Sequence, residues 1–86
     1  MKNSVKVERA IKNITQQELA DAVGVSRQTI NFIETGRYMP STIVALKIAR
    51  YFGRHADEIF QLEENDWFIS QQLNKQTELI LGSTPL

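Results

Sequence analysis

Two helix-start signals sit either side of one short glycine break, and no other feature of the 86-residue chain constrains its fold as tightly. In Thr15-Gln16-Gln17-Glu18, the Thr15 hydroxyl can accept from the amide of residue 18 while the Glu18 carboxylate reaches back to the amide of residue 15. Ile14 before the cap and Leu19 inside the helix supply the hydrophobic staple that fixes the entry angle. After Gly24-Val25, Ser26 repeats the capping signal, and Val25 with Ile30 repeats the staple. Two starts this close permit only two short helices with a tight turn between them, and Gly24 stands where a positive φ is easiest.

The remaining punctuation, Asn13, Gly36, Pro40 and Gly53, leaves room for three more short helices. The first is predicted over about Val5 to Lys12, with Asn13 accepting the left-handed conformation at its end. The third runs from about Arg27 to Thr35, and Gly36 to Pro40 follow as a loop. The fourth, about Thr42 to Phe52, is apolar around much of its circumference and is expected to be the central buried helix. The fifth is short, near Ala56 to Phe60, with Asp57 and Glu58 at its positive end. The expected fold is all-α: a five-helix domain over residues 1–62 and a C-terminal extension over 63–86. In that extension a helix is predicted at about 67–81, before a loose end at 82–86.

Net charge is zero, which at first argues against a nucleic-acid partner. Its distribution argues the other way: residues 1–54 carry +5 and residues 55–86 carry −5. Counted from Gln16, a small residue stands fifth (Ala20), glycine ninth (Gly24), and isoleucines fifteenth and eighteenth (Ile30, Ile33). Ala20 allows a close helix crossing and the two isoleucines anchor the second helix from behind, which is what a helix-turn-helix requires. With Ile30 and Ile33 inward, Gln28, Phe32 and Thr35 point most nearly outward, flanked by Arg27 and Asn31. That set suits base edges: arginine pairs with guanine, glutamine or asparagine with adenine, and a phenyl ring packs on a thymine methyl.

Residues 5–62 resemble the helix-turn-helix domain of the phage repressor/Cro (XRE) family. The resemblance is carried by Ile14-Thr-Gln-Gln-Glu-Leu-Ala20, Gly24-Val-Ser-Arg-Gln-Thr-Ile30, Ile33-Glu-Thr-Gly36, Arg37-Tyr-Met-Pro-Ser41, Ala45-Leu-Lys-Ile-Ala49 and Glu58-Ile-Phe60. It implies a transcriptional regulator, a repressor by default, that binds double-stranded DNA as a homodimer on a palindromic operator. It further implies that Arg27, Gln28, Asn31 and Phe32 meet bases, while Gln16, Ser26, Thr35, Arg37 and Tyr38 meet phosphates. Arg9 and Glu34 fall where similar repressors form a partly buried ion pair between the first and third helices. Asn13 stands where glycine is usual, Glu8 where many relatives have leucine, and His55 where a serine caps the fifth helix.

An enzyme is disfavoured. There is no Gly-rich phosphate loop, no cysteine, and a single histidine, His55, so most metal and acid–base schemes lack their second group and no cofactor is implied. No apolar run approaches the ~20 residues that cross a bilayer, and no signal peptide opens the chain, so a cytoplasmic, DNA-associated protein is expected. Glu63-Glu64-Asn65-Asp66 reads as an acidic break, after which Trp67, Phe68 and Ile69 form a dense apolar cluster. With Ile59 they are the expected dimer or partner interface. The alternative function is an antitoxin or adaptor that binds a protein through this C-terminal segment.

Overall fold

A computed structural model of the chain describes residues 1–67. It contains five helices, α1 (Val5–Lys12), α2 (Gln16–Val23), α3 (Arg27–Glu34), α4 (Thr42–Phe52) and α5 (Ala56–Ile59). A two-residue strand at each end, β1 (Lys2–Asn3) and β2 (Phe60–Gln61), pairs antiparallel with Lys2 opposite Gln61 and Asn3 opposite Phe60. Residues 64–67 are helical as well. Phe68 and Ile69, the remainder of the helix predicted at 67–81, and the loose end lie outside the described residues.

The caps form where the local sequence dictates. Thr15 Oγ1 accepts from the Glu18 amide at 3.0 Å, and the Thr15 amide donates to Glu18 Oε1 at 3.2 Å. Ser26 Oγ accepts from the Thr29 amide at 3.1 Å, and Ser41 Oγ from the Val44 amide at 3.2 Å. His55 supplies no side-chain cap; instead its amide donates to Glu58 Oε1 at 2.8 Å. That bond, with His55 and Arg54 close by, holds the Glu58 carboxyl below the usual carboxylate range.

Asn13 and Gly24 end their helices in the left-handed region, at φ 56° and 77°. At Gly24 nothing lies within 4 Å of where a Cβ would be, so a side chain meets backbone strain and no clash. Gly24→Ala is therefore expected to lower stability by about 1–2 kcal/mol, read from the urea midpoint with the m-value unchanged.

The core consists of Val5, Leu19, Ala20, Val23, Ile30, Ile33, Ile48, Ala49, Phe52 and Ile59, so every helix contributes. Ile14 and Val25, the leading halves of the two staples, pack against it. Burying each of the five fully enclosed Leu and Ile side chains, Leu19, Ile30, Ile33, Ile48 and Ile59, contributes about 1.5–3 kcal/mol.

Two expectations are corrected. α4 is not enclosed: Ile43 and Leu46 are 66% and 54% exposed, and only Ile48, Ala49 and Phe52 are buried. Five short helices form a single shell, which can cover one face of α4 and no more. Ile59, expected at an interface, is 1% exposed and belongs to the core of its own domain. Its carbonyl accepts from the Ser4 amide at 3.0 Å, so the short β1–β2 ribbon closes over it.

Candidate nucleic-acid interface

α3 is held from inside by Ile30 and Ile33, both fully buried, so its opposite side must face outward. Arg27 and Gln28 are exposed, Asn31 and Phe32 half-buried, and Thr35, Arg37 and Tyr38 exposed. All seven therefore lie along one ridge formed by α3 and the loop after it. Among the described residues neither Arg27 nor Arg37 takes part in an ion pair, which leaves two cations on that ridge for an external anion.

The ridge is stiffened from its flanks. The carbonyl of Phe32 accepts from the amides of Arg37 and Tyr38 at 2.9 and 3.2 Å, folding the loop back on the end of α3. Phe32 is half-buried, so part of the residue stays open to solvent. Two hydroxyls have local work. Ser26 Oγ caps α3 and shares a 2.8 Å hydrogen bond with Thr29 Oγ1, while Thr35 Oγ1 donates back to the carbonyls of Asn31 and Phe32 at 2.9 and 3.3 Å. The one proton of Thr35 is thus turned into its own helix.

Behind α3 runs a polar network. Arg9 Nε donates to Glu34 Oε2 at 2.6 Å and Arg9 Nη2 to Glu34 Oε1 at 3.2 Å, while Arg9 Nη1 donates to the Ile14 carbonyl at 2.9 Å. The side chains are 15% and 4% exposed, so the pair lies largely out of water, and the bond to Glu34 raises the guanidinium pKa further. Gln16 Nε2 donates to Glu34 Oε1 at 3.0 Å and to Asn31 Oδ1 at 3.2 Å. Arg27 Nη1 donates to Gln16 Oε1 at 3.3 Å. Gln16 thereby joins the ion pair to the start and middle of α3. An open surface cleft beside it is lined by Arg9, Thr15, Gln16, Gln17 and Arg27.

Sequence reasoning missed several ties, because their partners are far apart in the chain. Asn3 Nδ2 donates to the Ile33 carbonyl at 2.8 Å, anchoring the N-terminal strand on α3. Lys12 Nζ donates to the Tyr51 carbonyl at 3.2 Å and lies 4.8 Å from the Tyr51 ring centroid, joining α1 to α4. Glu8, an unexpected acid on α1, accepts from Arg54 Nε at 3.4 Å. Glu63 and Asp66 both take the Met1 amine, at 3.0 and 2.9 Å, and the Glu63 amide donates to Asp66 Oδ2 at 2.8 Å. The acidic run therefore closes locally on the first residue. Trp67 is 55% exposed at the edge of the described residues.

Residues 5–59 match the helix-turn-helix family. An uncharacterized HTH-type transcriptional regulator of Methanocaldococcus jannaschii is 50% identical over 66 residues, covering 77% of this chain and all of its own. The uncharacterized HTH-type transcriptional regulator YgzD of Bacillus subtilis is 46% identical over 66 residues, again 77% of this chain and 100% of its own. Among solved structures, the clp gene regulator ClgR from Corynebacterium glutamicum superposes with a TM-score of 0.61 at 23% identity, covering 91% of this chain and 79% of its own, a likeness of fold. The turn geometry, the buried isoleucines behind α3 and these relatives agree, and the chain is a member of the XRE-type helix-turn-helix family of transcriptional regulators.

Proposed function

We propose that the protein is a sequence-specific double-stranded DNA-binding regulator, a repressor by default, acting as a homodimer on a palindromic operator. The observation that carries this reading is the outward ridge of α3, with Arg27 and Gln28 exposed in front of two fully buried isoleucines. Arg27, Gln28, Asn31 and Phe32 read base edges in the major groove. Gln16, the first residue of α2 and beside the cleft, meets a phosphate through its backbone amide, its side chain being engaged by Glu34, Asn31 and Arg27, and Arg37 and Tyr38 meet the DNA backbone with it. Ser26 and Thr35 contribute to the backbone contact mainly by holding α3 and its loop in place, since both hydroxyls are engaged locally.

Two copies place their α3 helices in successive major grooves about 34 Å apart. Bound across a promoter, such a dimer excludes polymerase. The second protomer is expected on the apolar groove that Met39, Leu46 and Leu62 line, at 62%, 54% and 57% exposure, and on Trp67, at 55%. In the alternative reading, an antitoxin or adaptor, a different protein takes the second protomer's place on those residues.

Selection of bound duplexes from a random pool tests this directly. A palindromic consensus with half-sites about one helical turn apart is the expected result, with log affinity falling by roughly 0.9 per contacted phosphate for each decade of salt. No enriched sequence, together with a salt-resistant protein partner lost on Trp67→Ala, would establish the adaptor role instead.

A further inference from the structure

Met39 and Pro40 of the loop before α4, Ala45 and Leu46 of α4, Phe60 of β2 and Leu62 wall an apolar groove, with Asp57 as its acidic side chain. Met39, Leu46 and Leu62 are each more than half exposed. Leu62 is also where the chain leaves the domain. Residues 64–67 are helical, and the Met1 amine holds Glu63 and Asp66 at 3.0 and 2.9 Å, which roots that turn beside the groove, since Met1 lines it too. None of residues 63–67 walls the groove, and Trp67 is 55% exposed, so the described chain is directed away from it. No glycine or proline interrupts residues 63–81, so the sequence predicts one helix from the rooted turn to Gly82, about 27 Å long. At 100° per residue, Phe68, Ile69, Leu73, Leu79 and Ile80 share one side of such a helix, and Gln71, Asn74 and Glu78 share the other.

We propose that this amphipathic arm, residues 68–81, of each protomer fills the apolar groove of the other, so that two copies of the chain exchange arms. The inference rests on the homodimer proposed above and names the segment that joins it. A helix rooted beside a groove and directed away from it reaches back only through a break, and the sequence supplies none before Gly82. The groove of a second copy carries no such restriction. An amphipathic helix laid in an apolar groove is a recurrent mode of association, and Ile69, Leu73 and Ile80 have the four- and seven-residue spacing of its anchors. Exchange about a two-fold axis gives each groove one arm and leaves neither apolar surface in water. Pairing of the two arms with each other would leave both grooves exposed, Met39 and Leu46 included. Lys75, the one cation of residues 68–86, flanks the apolar side of the arm and is opposite in charge to Asp57 at the groove.

Sedimentation equilibrium of the full chain tests this with wild type, Leu46→Asp in the groove, Leu73→Asp in the arm, and an equimolar mixture of the two variants. Circular dichroism checks that each variant is folded. The core cluster lies within residues 5–59, so Leu73→Asp leaves it intact, and Met39→Asp replaces Leu46→Asp if the latter does not fold. Each variant alone lacks both groove–arm contacts, and its dimer is expected to weaken by roughly hundredfold or more. In the mixture, the intact arm of one variant meets the intact groove of the other and restores one contact of the two. The mixed dimer should therefore be roughly tenfold tighter than either variant alone. A dimer unchanged by Leu73→Asp makes no use of the arm, and one unchanged by Leu46→Asp pairs arm with arm. A mixture no tighter than its components shows that the arm does not cross between copies. Any of these three results overturns arm exchange while the homodimer stands. A wild-type chain that stays monomeric at all concentrations overturns the homodimer and arm exchange with it.

Discussion

Glu34→Ala is expected to destabilise the domain by roughly 3 kcal/mol, the lower end of what removing one partner from a buried ion pair costs. The lower end applies because Arg9 keeps 15% exposure and its bond to the Ile14 carbonyl, so some of its charge stays solvated and paired. The loss spreads further than one pair: Gln16 loses its inward acceptor, and α1 then rests on α3 through apolar contacts, with Asn3 of β1 the nearby polar tie to α3. For a domain of this size each kcal/mol shifts the melting temperature by about 4–8 °C, so a drop of roughly 12–24 °C is expected. Gln28→Ala, which removes only an exposed side chain, should melt within about 2 °C of wild type. Equal melting temperatures for the two variants would show that the pair contributes nothing to the fold.

Arg27→Ala is expected to act in the opposite way, with stability retained and operator affinity lost. The Arg27 side chain is exposed, and its hydrogen bond among the described residues is the 3.3 Å one to Gln16, so folding has little to lose. An arginine on a base edge is worth about 1–3 kcal/mol in discrimination, and the proposed homodimer loses it twice. Operator affinity should fall by about 30-fold to about 2 × 10⁴-fold, while binding to mixed-sequence DNA changes little. Titration of labelled operator at fixed salt, beside a melting curve, measures both. A uniform loss on all sequences would reassign Arg27 to the phosphates.

Much of this domain is legible from short-range chemistry. A threonine four places ahead of a leucine, with a glutamate between them, specifies a helix start because donor, acceptor and staple lie within one turn, and α2 begins there. Asn13 and Gly24 mark helix ends because left-handed backbone is a property of the residue itself. The outward set on α3 follows from the two isoleucines by helical rotation alone. The exposed side of α4 was not legible in this way. Its apolar residues run round the helix, and whether Ile43 or Ile48 is covered depends on how many other helices exist to cover it. Ile59 was likewise ambiguous, since an apolar residue near a domain's end serves a core or an interface equally well until the packing is known.

Residue order along the chain therefore determined the five helices, their caps and the face of α3 that looks outward, because each depends on atoms within one or two turns of each other. Tertiary structure alone decided that β1 and β2 meet over Ile59, that Glu8 pairs with Arg54, and that one glutamine links the Arg9–Glu34 pair to Arg27 and Asn31. Those contacts join residues distant in the chain, and no local periodicity encodes a hydrogen bond whose partner arrives only when the core has closed.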